Sequence, residues 1–281
     1  MKAFGSSDCI LMYHGTPQRD ASALARQLRA VAFFFDVVPL EALAAPRRNG
    51  RRRVALTFDD GLRSNVRVAY PLLRSLGLTA TFFVCPGLVE RVRWLWNHEA
   101  RERLASLPAP ALGELAAAVG GPAEAEAFVE WMKTLQLARR ERVEAAVRAA
   151  TRRFEPSAAQ REEFDLAGWD ELKRLDPRVV TIGSHTMTHP ILTSLSADQL
   201  DAELRESRCA LERELGRPVA HFCYPNGDLN EPIVSAARRY YAGAVAVEPR
   251  SLGADVDPHR LPRFAAHPRH SLRLARSLVL G

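Results

Sequence analysis

Short runs of apolar and β-branched residues alternate with stretches of helical length along most of this chain. The runs are apolar at nearly every position, as expected for parallel strands whose two faces are both covered by helices. This alternation predicts an α/β fold with a mostly parallel sheet, built either as an open doubly wound sheet or as a closed barrel. The predicted strands are residues 10–13, 54–58, 80–84, 179–182, 219–224 and 242–247, and the predicted helices are residues 21–31, 65–76, 197–215 and 231–240.

The alternation stops at about residues 90–164, where Ala, Glu, Arg and Leu recur at helical spacing. Since the apolar runs are otherwise evenly spread, we expect a single domain, residues 1–281, that carries this stretch as a helical insertion. Trp94, Trp96 and Trp131 lie in or beside the insertion. Packing between helices is their simplest role, and stacking on a sugar ring is the alternative.

The formal net charge of +6 comes mainly from arginine, with one cluster at residues 47–53 and a second toward the C-terminus. The basic charge is therefore compatible with binding to an anionic partner or surface. A nucleic acid is not expected, since the clusters lack interleaved aromatic residues and a recognition helix. The four cysteines are far apart, without a CxxC pair, which favours reduced and mostly buried thiols.

The first apolar run, residues 9–13, is too short for the hydrophobic region of a signal peptide, and no later run reaches the length of a membrane span. We therefore expect a cytoplasmic protein. Its basic face and the amphipathic segment 271–280 could provide peripheral contact with the inner membrane surface, although that segment reads equally well as a packing helix. The sequence predicts no oligomeric state.

Two adjacent carboxylates, Asp59 and Asp60, follow one predicted strand directly and precede Gly61. Parallel α/β folds gather functional groups at this end of their strands. Two buried carboxylates repel each other unless a cation lies between them or one takes up a proton, so the pair indicates a metal ion. The alternative is structural, with one aspartate capping the next helix and the other solvated.

Two histidines, His185 and His189, follow another predicted strand and are four residues apart. Alone they could be hydrogen-bonded loop residues, since the glutamate of an HExxH site is absent. Together with one aspartate they form a three-ligand set that leaves coordination positions open, which is typical of a catalytic metal site. A metal ion there would acidify water, and the second aspartate could accept its proton.

The segments Thr57-Phe-Asp-Asp-Gly61 and Ser184-His-Thr-Met-Thr-His189 resemble the first two motifs of the polysaccharide deacetylase family, also called the NodB-homology domain. The resemblance implies a distorted (β/α) barrel with Asp59 as the catalytic base. It also implies that Asp60, His185 and His189 bind a divalent metal, zinc in most members and cobalt, nickel or manganese as alternatives.

Later segments resemble further motifs of the family, with departures. Phe222-Cys-Tyr-Pro-Asn-Gly227 is similar to the third motif, which implies that the Tyr224 N–H binds the oxyanion formed on the substrate carbonyl and that Pro225 contacts the substrate. The arginine of that motif is missing here, and Arg263, in Leu261-Pro-Arg263, is expected to replace it beside Asp59. The family's general acid is a histidine, for which His267 is the candidate, although Ala265 stands where the family has leucine.

The remaining histidines are assigned by position. His14 ends the first predicted strand and resembles the Tyr-His pair of some family members, so it is expected to contact substrate at the rim of the site. Four others are expected to be structural or solvated: His98, His221, His259 and His270.

The resemblance implies a metal-dependent hydrolase that removes N-acetyl groups from an amino-sugar-containing glycan or a nucleotide- or lipid-linked glycan precursor. One alternative is an amidase of the same superfamily that cleaves a non-sugar C–N bond. Another is an inactive glycan-binding member, against which the retention of a base at Asp59 argues.

Overall fold

The computed structural model describes residues 8–45, 51–91, 93–253 and 256–270. Its centre is a curved sheet in which each strand pair is parallel. The strands are β1 (Cys9–Tyr13), β2 (Asp36–Val37), β3 (Arg53–Phe58), β4 (Ala80–Val84), β5 (Val180–Ser184), β6 (His221–Cys223), β7 (Gly243–Val245) and β8 (Phe264–Ala265).

The strands follow the order β7-β6-β5-β4-β3-β1-β8, and β2 pairs with the beginning of β3. The two ends of this order approach each other, because Val245 of β7 forms a parallel bridge with Leu261, shortly before β8. The parallel strands thus curl into a half-barrel surrounded by helices. This architecture confirms the distorted barrel that the family resemblance implies. It is not the open doubly wound sheet that the alternation of strands and helices also allowed.

Helices cover the outside of the half-barrel and fill the insertion. The helices are α1 (Ala21–Phe34), α2 (Tyr70–Leu76), α3 (Pro86–Arg91), α4 (Trp96–Ala105), α5 (Ala109–Val119), α6 (Ala125–Lys133), α7 (Leu137–Ala150), α8 (Ala158–Phe164), α9 (Trp169–Lys173), α10 (Ala197–Leu215) and α11 (Glu231–Arg238). The ends of α10 follow from its sequence: Ser196 and Gln199 form a capping box, and Gly216 ends the helix with φ 63°.

The insertion has its own hydrophobic core. Helices α4 to α7 bury a cluster that includes Trp96, Phe128 and Met132, separate from the cluster inside the half-barrel. Trp96 is only 4% exposed, so packing is its role here rather than sugar stacking. The insertion therefore has packing of its own while it contacts the barrel at the end where the strands terminate.

All six predicted strands are present, but β2 and β8, of two residues each, were not predicted. The helix predicted at 65–76 begins as a π-helical turn, Asn65–Ala69, before α2. Of the four cysteines, Cys209 is exposed and the other three are buried. Residues 46–50 of the first arginine cluster and the segment 271–280 lie outside the described residues. No helix within the described ranges is both long and apolar enough to cross a membrane.

Candidate active site

The two motif segments meet at the carboxyl end of the sheet. Asp60 follows β3, and His185 follows β5, two strands away. The Nε2 atoms of His185 and His189 lie 3.6 and 3.7 Å from the same Oδ1 of Asp60. All three side chains are buried, so they form a compact set of ligand atoms shielded from bulk water.

Part of this backbone is left-handed. Asp60 has φ 72°, Thr186 has φ 68° and His189 has φ 55°. For residues with a Cβ this conformation costs on the order of 1 kcal/mol each, so surrounding contacts must hold it. The turns aim the side chains of Asp60 and His189 into the same small space.

The histidine segment is held from two sides. Glu203 on α10 accepts hydrogen bonds from the N–H groups of Met187 at 2.7 Å and Thr188 at 3.1 Å, and from the Thr188 hydroxyl at 2.7 Å. From the insertion, the indole of Trp96 donates to the carbonyl oxygen of His189 at 3.0 Å. A helix of the barrel and a helix of the insertion thus fix the same turn.

The geometry fits a divalent metal ion. His185 Nδ1 lies 2.8 Å from the carbonyl oxygen of Cys223, which can only accept, so Nδ1 carries a proton and Nε2 is the atom that faces Asp60. Burial would lower the pKa of His185, but Cys223 and Asp60 raise it well above its ordinary value, and a divalent ion between His185 and Asp60 would take the place of the Nε2 proton. Burial, together with the His185 imidazole, lowers the pKa of His189 to about 3, which keeps that ring neutral. Ligands about 2.1 Å from a tetrahedral zinc ion lie about 3.4 Å apart, close to the separations found here.

Asp59 is separate from this ligand set and pairs with Arg263. The guanidinium donates to both carboxylate oxygens at 2.8 Å, and further to the Ala246 carbonyl and the Thr57 hydroxyl, each at 3.0 Å. Burial would raise the pKa of Asp59, but Arg263 outweighs it and holds that pKa below its ordinary value. Cys223 completes the contact, with Sγ 3.1 Å from Arg263 Nη2.

A cavity of about 210 Å³ opens above these residues. The insertion supplies one wall through Leu95, Asn97 and His98. Asn97 Oδ1 and His98 Nδ1 are buried and have no hydrogen-bond partner among the described residues. Burial lowers the pKa of His98, so its imidazole is neutral near pH 7. Other lining residues are His14, Tyr224, Asn226 and Val247.

The predicted contact residues are only partly brought together. His14 and Tyr224 line the cavity, whereas Pro225 and His267 do not. The Tyr224 N–H is directed to the carbonyl oxygen of Val245 at a long 3.4 Å. His267 instead packs against His270, and its carbonyl oxygen accepts from Gln27. The structure therefore offers no support for His267 as the general acid.

Four contributing residues were missed from the sequence: Asn97, His98, Glu203 and Cys223. His98 and Asn97 lie in the insertion, where nothing in the spacing connects them with the two motifs. Glu203 acts by accepting hydrogen bonds from the backbone of the histidine segment, and Cys223 acts through its carbonyl oxygen and its sulfur atom. Such contacts leave no pattern in a single sequence. Cys223 lies inside the segment that resembles the third motif, and this was the one available signal for it.

Comparisons with known proteins identify the family and the fold. A family model described as polysaccharide deacetylase matches residues 47–244. The chain belongs to the polysaccharide deacetylase family. Bacillus subtilis YxkH, which carries the name of a polysaccharide deacetylase, is 20% identical to this member over 92% of this chain and 71% of its own length.

Two solved structures show the same fold. The Streptococcus pyogenes deacetylase PplD, solved in complex with acetate, superposes on this deacetylase-family chain with a TM-score of 0.64 at 19% identity, over 97% of this chain and 98% of its own. IcaB from Ammonifex degensii gives a TM-score of 0.65 at 16% identity, over 98% and 97% of the two chains. These likenesses confirm the barrel architecture.

Proposed function

We propose that this protein is a metal-dependent deacetylase that removes N-acetyl groups from an amino-sugar-containing glycan or glycan precursor. The observation that carries the proposal is the division of the two aspartates. Asp60 lies with the imidazoles of His185 and His189, while Asp59, beside them, has both carboxylate oxygens held by Arg263. A protein that only bound a glycan would have no use for such a base.

Asp60, His185 and His189 are the residues that would hold the ion. A divalent ion bound there supplies Lewis acidity toward a substrate carbonyl and lowers the pKa of water. Asp59 accepts the proton from the attacking water, since Arg263 keeps its carboxylate ionised and oriented. The long bond from Tyr224 N–H to Val245 is weak enough to be exchanged for the carbonyl oxygen of the substrate.

The departing amine requires a proton donor. His14 lines the cavity and is exposed, so it can exchange protons with solvent, and we assign this role to it. His98 is neutral because burial lowers its pKa, so it is suited to a hydrogen bond with the substrate. Asn97 offers a second unpaired polar atom on the same wall.

The test is acetate release from N-acetylglucosamine oligomers and from lipid-linked N-acetyl sugars, by metal-loaded and chelated protein, with bound metal quantified on the same samples. We expect metal-dependent release. Asp59→Asn should keep the metal and lose turnover, and His185→Ala should lose both. Full activity of Asp59→Asn would contradict the mechanism. Turnover of non-sugar amides without acetate release from sugars would favour the amidase alternative.

A further inference from the structure

A second and larger cavity, of about 720 Å³, lies where the insertion meets the barrel. It adjoins the active-site cavity across a single segment: Trp94 lines the larger cavity, and Leu95 and Asn97 line the smaller one. Its walls carry two carboxylates, Glu99 and Asp165, and six arginines. The arginines are Arg63, Arg91, Arg93, Arg103, Arg148 and Arg161.

Three of these arginines have close acidic partners. Arg103 and Arg148 bind Glu99 at 2.8 and 2.9 Å, and Arg63 binds Asp165 at 2.8 Å. Asp165 also accepts a hydrogen bond from the indole of Trp94 at 2.8 Å. Both wall carboxylates are therefore already occupied by donors.

The other three arginines lack such partners. Arg91, at the end of α3, and Arg93 are exposed and make no ion pair with any described residue. Arg161 on α8 has Glu155 at 3.8 Å, but that carboxylate is 88% exposed and gives little neutralisation. Three positive groups from two segments thus line one cavity, and their mutual repulsion would be relieved by an anion between them.

We propose that this arginine cavity binds a pyrophosphate or a similarly charged phosphate ester. The planar guanidinium group matches phosphate oxygens with paired hydrogen bonds, and three of them suit an anion with more than one charge. The volume exceeds that of a phosphate group, which leaves space for the organic group attached to it. Trp94 and Phe154 on the walls supply apolar and aromatic surface for that group. The proposal does not depend on the deacetylase activity.

The experiment is titration calorimetry of the full chain with inorganic pyrophosphate and with a nucleoside diphosphate. A chelator stays in the buffer, because pyrophosphate would otherwise bind an active-site metal. We expect saturable binding that weakens about tenfold for Arg91→Gln or Arg93→Gln and more for the triple variant with Arg161→Gln. The charge-matched control is Arg178→Gln, Arg205→Gln and Arg213→Gln, three exposed arginines outside the cavity, which should bind as the unmodified protein does.

A second arm distinguishes a lipid headgroup from a soluble ester. Sedimentation with vesicles that contain phosphatidic acid, a phosphomonoester, against phosphatidylcholine vesicles should show binding lost in the same triple variant if the phosphate is carried by a lipid. Asp59→Asn should bind every probe normally, so a failure of the deacetylase mechanism would leave this result intact. The proposal is overturned if neither probe nor vesicle binds saturably, or if the triple variant binds as tightly as its control.

Discussion

The Asp59–Arg263 pair concentrates the electrostatics of the site in two buried side chains. Removing two charges from water costs several kcal/mol for each ion, which the pair recovers only because both carboxylate oxygens are hydrogen-bonded and Arg263 also reaches Ala246 and Thr57. Such a pair contributes little net stability. Its value lies in keeping one carboxylate ionised and correctly oriented in a dry environment.

The first prediction concerns this pair. Arg263→Met should lower the free energy of unfolding by about 3 kcal/mol, because it leaves Asp59 buried without a partner. Adding Asp59→Asn should restore most of that loss, and urea unfolding of both variants measures it. An additive effect of the two substitutions would contradict the pairing.

Catalytic activity should also fall when the Asp59–Arg263 pair is altered. Because Arg263 holds the pKa of Asp59 down, Arg263→Lys, which keeps the charge but loses the two-point contact, should move the acid limb of the kcat/KM profile to higher pH. We also expect kcat to fall about 100-fold, since the base loses its orientation.

The second prediction separates the histidines of the site. His14→Gln should lower kcat about 100-fold or more, because it removes the proton donor for the amine. His98→Gln should mainly raise KM, because it removes a substrate contact. His267→Gln is the control and should change neither parameter; a large loss of kcat in that variant would return the general acid to the position first predicted from the sequence.

For single residues, the sequence was informative where the functional groups lie close together along the chain. Asp59, Asp60, His185 and His189 stand in two short segments with recognisable spacing. Arg263 could be assigned to Asp59 only through the family resemblance, since 204 residues separate the two. His98 was expected to be structural or solvated, and its place in the cavity could not be predicted because it depends on how a whole helix of the insertion packs.

Among the elements, the insertion helix α4 connects the two cavities. One side of it presents Asn97 and His98 to the active site, while Glu99 and Arg103 line the arginine cavity. Trp96 lies in its first turn and reaches the His189 carbonyl. A change in the packing of α4 therefore affects the ligand histidines as well as the arginine cavity.

The third prediction tests the anchoring of α4. Glu99 is buried, and Arg148 and Arg103 outweigh burial to hold its pKa below the ordinary value of 4.5. Its ion pairs therefore stabilise the fold above about pH 4.5, and the contribution is lost as pH falls through the lower folded-state pKa. Glu99→Gln should cost roughly 2 kcal/mol at pH 7, and the difference from the unmodified protein should shrink in acid.

The control for this measurement is Glu126→Gln in the same insertion. Glu126 pairs with Arg101, but its side chain is 54% exposed, so its replacement should change the stability little at any pH. Urea unfolding at pH 7 and at pH 4 compares the two variants. Equal losses for both, or a loss for Glu99→Gln that is the same at both pH values, would contradict the anchoring role.

The strands that could be predicted are those with a long apolar run. β1, β3 and β4 are fully buried or nearly so, and hydrophobic pattern alone identifies them. β2 and β8 have two residues each, too few for any periodicity, and they exist because their neighbours supply hydrogen-bond partners. Local composition could not distinguish a barrel from an open sheet, because closure depends on contacts such as Val245 with Leu261.

For the whole molecule, the ligand set joins strands β3 and β5, whose residues are far apart in sequence. An ion that binds only the folded chain stabilises it by about 2.7 kcal/mol at 100 times its dissociation constant. The fourth prediction is therefore a rise in the melting temperature of roughly 5–10 °C when zinc is added to chelated protein. Calorimetric scans should show the rise in Asp59→Asn and its absence in His185→Ala, and an equal rise in both would place the ion elsewhere.

The left-handed backbone at Asp60 and His189 has a consequence for laboratory evolution. Glycine adopts that conformation without the steric cost that a Cβ imposes, so Asp60→Gly or His189→Gly relieves strain while deleting a ligand. In a chelating medium, where no bound ion stabilises the fold, a library selected for heat resistance alone would therefore accumulate glycine at these two positions and lose activity. Directed evolution of this scaffold needs a catalytic readout in every round.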